Sequence, residues 1–203
     1  MRALVLVDLQ NDFMPGASLA VAEGDACVLV ANEIMPRFSL VVASQDWHPI
    51  GHGSFASSHP GSAPGDVVDV GGVAQALWPD HCVQNAPGAS FHSALDVALI
   101  DHVVRKGADP AVDSYSAFFD NERSHDTGLG AYLEERGVDE LVIMGLATDY
   151  CVKYTVLDAV GLGFGVTVIR DGCRAVEAGP GDGERAFGEM RGAGVRIVDS
   201  AGL

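Results

Sequence analysis

Short apolar runs alternate with amphipathic stretches along the chain, a pattern typical of repeated βαβ units and a parallel sheet. The predicted strands are residues 2–8, 40–45, 102–106, 140–145, 165–170 and 195–198. The predicted helices are residues 24–38, 93–100, 127–137, 150–162 and 181–193. The pattern therefore predicts an α/β fold, and the length of 203 residues predicts one domain spanning residues 1–203.

Residues 46–92 interrupt this alternation. The segment is rich in Gly, Pro, His and Ser and shows little periodicity. Unstructured connections of this length are uncommon inside compact domains, and those that occur tend to be functional. We therefore predict that this segment carries part of a binding or catalytic site.

Charge and composition exclude some partners. With 12 basic and 28 acidic residues the formal net charge is −16, which disfavours binding to nucleic acid and to anionic membranes. Apolar runs fall short of membrane-spanning length, and the first residues do not resemble a secretion signal, so we expect a cytoplasmic location. The four cysteines lack Cys-x-x-Cys spacing, which favours free thiols. Monomer and homo-oligomer both remain open.

Reactive side chains follow four predicted strands at their carboxyl ends. Asp8 ends the first strand, Asp46 and His48 follow the second, Lys106 ends the third, and Cys151 follows the fourth. Ligands of open parallel sheets bind beyond these ends, where the strand order reverses. With a strand order of 3-2-1-4-5-6, these groups would share one rim of the sheet.

Cys151 is the candidate nucleophile. Thr148 and Asp149 are good N-cap residues, so the thiol is expected in the first turn of the helix that follows the fourth strand. Backbone N–H groups and the helix dipole there favour thiolate and predict a lowered pKa. A small buried core residue is the alternative interpretation.

Asp8 and Lys106 are the candidate partners of this thiol. Asp8 could serve as a general base or merely cap a turn, and Lys106, at the end of a buried strand, needs a carboxylate partner in either case. Backbone N–H groups of Ala147 and Cys151 are candidate donors to an oxyanion, if the turn has suitable geometry.

The long segment offers metal ligands. Asp46 and His48, two residues apart on extended chain, project to the same side, and His81 could complete a two-His-one-carboxylate set suited to Zn²⁺, Fe²⁺ or Mn²⁺. His52 and Cys82 are spare candidates. Aromatic residues near these groups could be core residues or the wall of a pocket for a flat ring; they include Phe13 and Trp78.

Five segments together resemble the nicotinamidases, within the isochorismatase-like cysteine hydrolases. The segments are residues 7–13, 46–55, 78–84, 106–118 and 145–152, and they occur in the same order over nearly the whole chain. Asp-Trp-His-Pro from Asp46 and Trp-Pro-x-His-Cys-Val from Trp78 separate the nicotinamidases from the wider superfamily. Asn85, where Gly is expected, and Tyr150, at a variable position of the pocket, depart from the pattern.

The resemblance implies a six-stranded, three-layer Rossmann-like fold and hydrolysis of nicotinamide to nicotinate and ammonia. It also implies a catalytic triad of Asp8, Lys106 and Cys151, and one divalent metal ion, zinc above all, on Asp46, His48 and His81. In this family a cis peptide shapes the oxyanion turn, here between residues 146 and 147, and the metal binds the pyridine nitrogen. A carbamoyl-amide hydrolase on the same scaffold and a non-catalytic metal- or ligand-binding protein are the alternatives.

Overall fold

The structure, a computed structural model, describes residues 1–70 and 73–203. Within these residues, eight strands form a six-stranded parallel sheet of order β5-β2-β1-β6-β7-β8 and a separate antiparallel pair, β3 and β4. The strands are β1 Arg2–Val7, β2 Val41–Asp46, β3 Val67–Val70, β4 Val73–Ala76, β5 His102–Lys106, β6 Glu140–Leu146, β7 Gly165–Arg174 and β8 Arg196–Val198. The predicted parallel sheet and its order are therefore confirmed, since β5, β6, β7 and β8 correspond to predicted strands 3 to 6.

Central β1 is apolar because it lies in the middle of the sheet. Residues 3–7 are completely buried, and the strand pairs in parallel with β2 on one side and β6 on the other. Strands covered on both faces are continuous apolar runs, without polar alternation. The carboxyl ends of β1 and β6 consequently lie side by side, which brings the turns after both strands together.

Four α-helices accompany the sheet in the part of the chain that the structure describes: α1 Gly24–Ile34, α2 Leu129–Glu134, α3 Lys153–Gly161 and α4 Asp182–Gly192. The predicted helix at residues 93–100 is wrong, because only a short 3₁₀ turn, Val97–Leu99, forms there. The Asn32 side chain binds the Ala94 carbonyl and the Asp96 N–H, so backbone groups that a helix would use are engaged elsewhere. Helix α2 is also shorter than the predicted 127–137.

The long segment folds back on itself beside the carboxyl edge of the sheet. Isolated bridges join His48 to Val83 and Phe55 to Trp78, and the unpredicted β3–β4 pair extends from it. These bridges bring the two ends of the segment together, although they are far apart in sequence. None of the helices in the described residues has the length and apolar character needed to cross a membrane.

Candidate active site

Cys151 lies in a single π-helical turn, Thr148–Val152, between β6 and α3. The predicted N-caps are wrong: Ala147 occupies the N-cap position, and neither Thr148 nor Asp149 caps the helix with its side chain. The buried Asp149 carboxylate instead accepts the backbone N–H groups of Val176 and Glu177, at 2.9 and 3.0 Å. Asp149 therefore ties the nucleophile turn to the loop after β7.

The Lys106 ammonium lies between Cys151, the candidate nucleophile, and two carboxylates. Its ammonium donates to Asp46 Oδ1 at 2.7 Å, to the Ser114 carbonyl at 2.9 Å and to Cys151 Sγ at 3.4 Å. The fourth neighbour, Asp8 Oδ2, lies 2.9 Å from the ammonium, so four acceptors share its three protons. The predicted proximity of acid, ammonium and sulfur is thus present in the structure.

Asp8 is completely buried and has one oxygen left for a proton. Its Oδ1 accepts the hydroxyl of Ser44 at 2.6 Å, whereas Oδ2 faces the Lys106 ammonium at 2.9 Å. Ser44 also accepts the Asp8 backbone N–H at 3.3 Å. Ser44, two residues before Asp46 on β2, was not predicted as a site residue, although its place on the strand beside Asp8 could have suggested it.

Burial and the shared ammonium set the ionisation of this cluster. Burial raises the pKa of Asp8 above its usual value, and the Lys106 ammonium only partly opposes it. Burial would raise the pKa of Asp46 too, but Lys106 and His48 outweigh it and hold that pKa well below its usual range. The predicted lowering of the Cys151 pKa is wrong, because burial raises it well above the ordinary value despite Lys106. The resting sulfur is therefore a thiol that needs a base.

Asp46, His48 and His81 converge as potential metal ligands. The Nε2 atoms of His48 and His81 lie 3.2 and 3.5 Å from Asp46 Oδ2, and all three side chains are buried. Each Nδ1 contacts a backbone carbonyl, of Gly107 for His48 and of Pro79 for His81, at 2.9 and 2.8 Å. A carbonyl only accepts, so each Nδ1 carries a proton, which leaves Nε2 as the atom of each ring that a metal could bind. Three electron-pair donors facing one another fit a cation.

His52 forms a second group of potential ligands with His48 and Asp113, but it is a weaker candidate. Its ring is buried beside His48, with ring centroids 4.4 Å apart, but its Nδ1 accepts the Ser54 backbone N–H at 3.2 Å. In the neutral ring the proton is then on Nε2, which leaves no lone pair there for a metal. Cys82, the other spare candidate, does not belong to a group of potential ligands in the described residues.

A pocket beside Cys151 has an aromatic wall. Phe13, Trp78 and Tyr150, the three predicted pocket residues, line it together with Asp46, His81, Ala147 and Cys151. Trp78 meets Tyr150 edge to face, with ring centroids 4.8 Å apart, and its indole N–H donates to Tyr115 at 3.2 Å. Tyr115 and Asp113 also line the pocket; they lie in one of the segments that resemble the nicotinamidases, but no role was predicted for them.

Two details of the resemblance can be compared with the backbone. The peptide bond between Leu146 and Ala147 is cis, as the resemblance implies. Asn85, which stands where Gly is expected, has a φ of +64°. Asparagine is one of the few residues that adopt this left-handed conformation readily, so the turn that Gly would make is retained.

The reactive groups and the pocket lie at the carboxyl ends of β1 and β6, where the strand order reverses. The molecule is therefore an α/β protein with its candidate site at the switch point of a parallel sheet. The isochorismatase domain model matches residues 2–202, and the chain belongs to that family. It is 54% identical to the nicotinamidase of Escherichia coli strain K12, over 98% of this chain and 95% of the relative.

Solved structures resemble the chain over its whole length. The nicotinamidase pyrazinamidease of Acinetobacter baumanii has a TM-score of 0.96 and 42% identity, covering 100% of this chain and 97% of the other. The pyrazinamidase of Pyrococcus horikoshii in complex with zinc has a TM-score of 0.79 and 38% identity, with 98% of each chain covered. Both similarities include the segments that form the site.

Proposed function

We propose that this protein is a nicotinamidase, which hydrolyses nicotinamide to nicotinate and ammonia, a step of NAD salvage. One observation carries the proposal: Cys151 faces the pocket, and its sulfur shares the Lys106 ammonium with the buried carboxylate of Asp8. A buried carboxylate oxygen with a raised pKa is suited to take the proton of a thiol and return it later. The names of the similar proteins support the choice of substrate.

In the acylation step, the Cys151 thiol transfers its proton to Asp8 Oδ2 as Sγ attacks the amide carbon. The N–H groups of Ala147 and Cys151 serve as donors to the oxyanion. Collapse of the tetrahedral intermediate breaks the C–N bond, and Asp8 gives its proton to the leaving nitrogen, so that ammonia departs and a thioester remains. Lys106 keeps a positive charge beside both Asp8 and the sulfur throughout.

In the deacylation step, water attacks the thioester carbon and gives a proton to Asp8. The C–S bond then breaks, the proton returns from Asp8 to the Cys151 sulfur, and the product leaves as nicotinic acid, which loses its carboxyl proton to the solvent and becomes nicotinate. Phe13, Trp78 and Tyr150 hold the flat ring and limit the entry of water to the site.

A divalent ion on Asp46, His48 and His81 is part of the proposal, with zinc the first choice and iron or manganese the others. The convergent Nε2 lone pairs and carboxylate support it, and so does the similarity to a zinc-bound pyrazinamidase. When bound, the ion would supply Lewis acidity that anchors the pyridine nitrogen of the substrate. The chain's own residues, Phe13 and Trp78 among them, then direct the amide toward Cys151.

The test is ammonia release from nicotinamide, with pyrazinamide and a simple aliphatic amide as comparison substrates. We expect turnover of nicotinamide that Cys151→Ala abolishes. Cys27→Ala is the matched control, because Cys27 is also a buried free cysteine but lies in α1, outside the pocket. Full turnover by Cys151→Ala, or turnover of the aliphatic amide alone, would refute the proposal.

A further inference from the structure

We propose that Gln10 and Asp12, which belong to neither the triad nor the metal-ligand set, are positioning residues that set the affinity of the metal site. This inference rests on the proposed metal site of Asp46, His48 and His81. Both residues lie in the turn that follows β1, next to the 3₁₀ helix Asn11–Phe13 or within it. They hold the backbone of two ligands from outside the ligand-bearing segments.

Gln10 clamps the main chain of Asp46. Its side-chain oxygen accepts the Asp46 N–H at 2.8 Å, and its side-chain nitrogen donates to the Asp46 carbonyl at 2.8 Å. The same nitrogen donates to the Ala89 carbonyl at 2.9 Å, and Gln10 is completely buried. The amide therefore pairs with Asp46 as a neighbouring strand would, just beyond the point where β1 ends, and fixes the carboxylate in place.

Asp12 holds the peptide bond that joins His81 to Cys82. Its Oδ2 accepts the Cys82 N–H at 2.7 Å, and Cys82 has an unfavourable φ of +45°. The Cys82 carbonyl in turn accepts the backbone N–H of His48 at 3.0 Å. The Asp12 carboxylate thus stabilises the turn that carries His81, and the backbone of His48 is hydrogen-bonded to the same turn.

The fit around Asp12 supports this role. A Cβ atom added to Gly88 would lie only 2.0 Å from Asp12 Oδ2, so the carboxylate is enclosed against the backbone of the loop that follows His81. Partners that orient metal ligands typically change metal affinity about 10- to 100-fold when they are removed. A loss of this size is the expected consequence for either residue.

The experiment measures zinc affinity by competition with a chromophoric chelator, on metal-stripped protein, for the wild type, Gln10→Met and Asp12→Ala. We expect binding about 10- to 100-fold weaker in both variants. Asn11→Ala is the matched control, since the Asn11 side chain lies in the same turn but, among the described residues, bonds only the exposed Pro87 carbonyl. Gln45→Met is a second control, because Gln45 also donates to the Ala89 carbonyl but does not hold Asp46.

Activity at limiting and saturating zinc separates positioning from other roles. We expect the kcat for nicotinamide to return to nearly the wild-type value at saturating zinc, because neither side chain belongs to the triad. If Asp12→Ala does not fold, Asp12→Asn, which keeps an oxygen acceptor, should show a smaller loss of affinity than Gln10→Met.

The outcomes distinguish the two proposals. A wild-type protein that binds no divalent metal would refute the proposed metal site itself. Wild-type binding with affinities in both variants equal to those of the two controls would overturn the role of Gln10 and Asp12 alone. A kcat that stays low at saturating zinc would overturn it as well.

Discussion

Replacing Lys106 by Met would leave two buried carboxylates without their common cation. Met keeps the length and apolar stem of the side chain but removes the ammonium that lies 2.7 Å from Asp46 and 2.9 Å from Asp8. Breaking a buried ion pair from one side costs about 3–5 kcal/mol. The Ser114 carbonyl also loses its donor, so we expect a loss in the upper part of that range. Against a total stability of about 5–15 kcal/mol, such a loss is large.

Urea unfolding of the metal-free protein, followed by circular dichroism, measures this loss. The matched control is Lys153→Met, which breaks an ion pair with the exposed Glu189 at 3.3 Å and should cost about 0–1 kcal/mol. The double variant Asp8→Asn/Lys106→Met neutralises one of the two carboxylates that lose their cation. Its loss of unfolding free energy should therefore be about 0.5–3 kcal/mol smaller than the sum of the losses of the two single variants. A Lys106→Met loss no larger than that of the control, or strict additivity, would refute the reasoning.

Three further changes test the site. Gly107→Ala should weaken zinc binding and stability far more than Gly137→Ala. Both glycines have nearly the same φ, +65° and +66°, but a Cβ at Gly107 would lie 2.5 Å from the His48 imidazole, whereas one at Gly137 would meet nothing within 4 Å. Equal effects of the two changes in chelator competition and urea unfolding would contradict this expectation. Ser44→Ala should move the acid limb of the kcat/KM profile to higher pH. The Ser44 hydroxyl lowers the pKa of Asp8, and Asp8 must be ionised to accept a proton. An unmoved acid limb would show that the hydrogen bond from Ser44 does not affect the pKa of Asp8. Trp78→Ala should raise the KM for nicotinamide about tenfold or more with little change in kcat, since it removes part of the pocket wall, and steady-state kinetics with unchanged KM would exclude that role.

The sheet could be predicted because its signal is local. Buried parallel strands are continuous apolar runs, and the polar residue that ends each run marks the edge where ligands bind. Asp8, Lys106 and Cys151 were found in this way, and the structure places the ammonium beside both partners. The order of strands was taken from the Rossmann-like fold, and the observed sheet has that order.

The parts that the sequence analysis missed depend on contacts between distant segments. Residues 93–100 have helical spacing, but the Asn32 side chain competes for their backbone groups. Ser44 is an ordinary strand residue until β1 is placed beside β2, and Tyr115 reaches the pocket only because its loop packs against Trp78. The pKa of Cys151 depends on how deeply the completed fold buries it, which the position after a strand does not reveal.

The two carboxylate oxygens of Asp46 have different partners: Oδ1 contacts the Lys106 ammonium, and Oδ2 contacts His48 and His81. Any cation held by the histidines would therefore draw on the same negative charge that neutralises the ammonium next to the nucleophile. A chelating inhibitor would consequently do more than remove a substrate anchor. It would also leave the full negative charge of Asp46 to Lys106, and so change the electrostatic environment of the Cys151 sulfur.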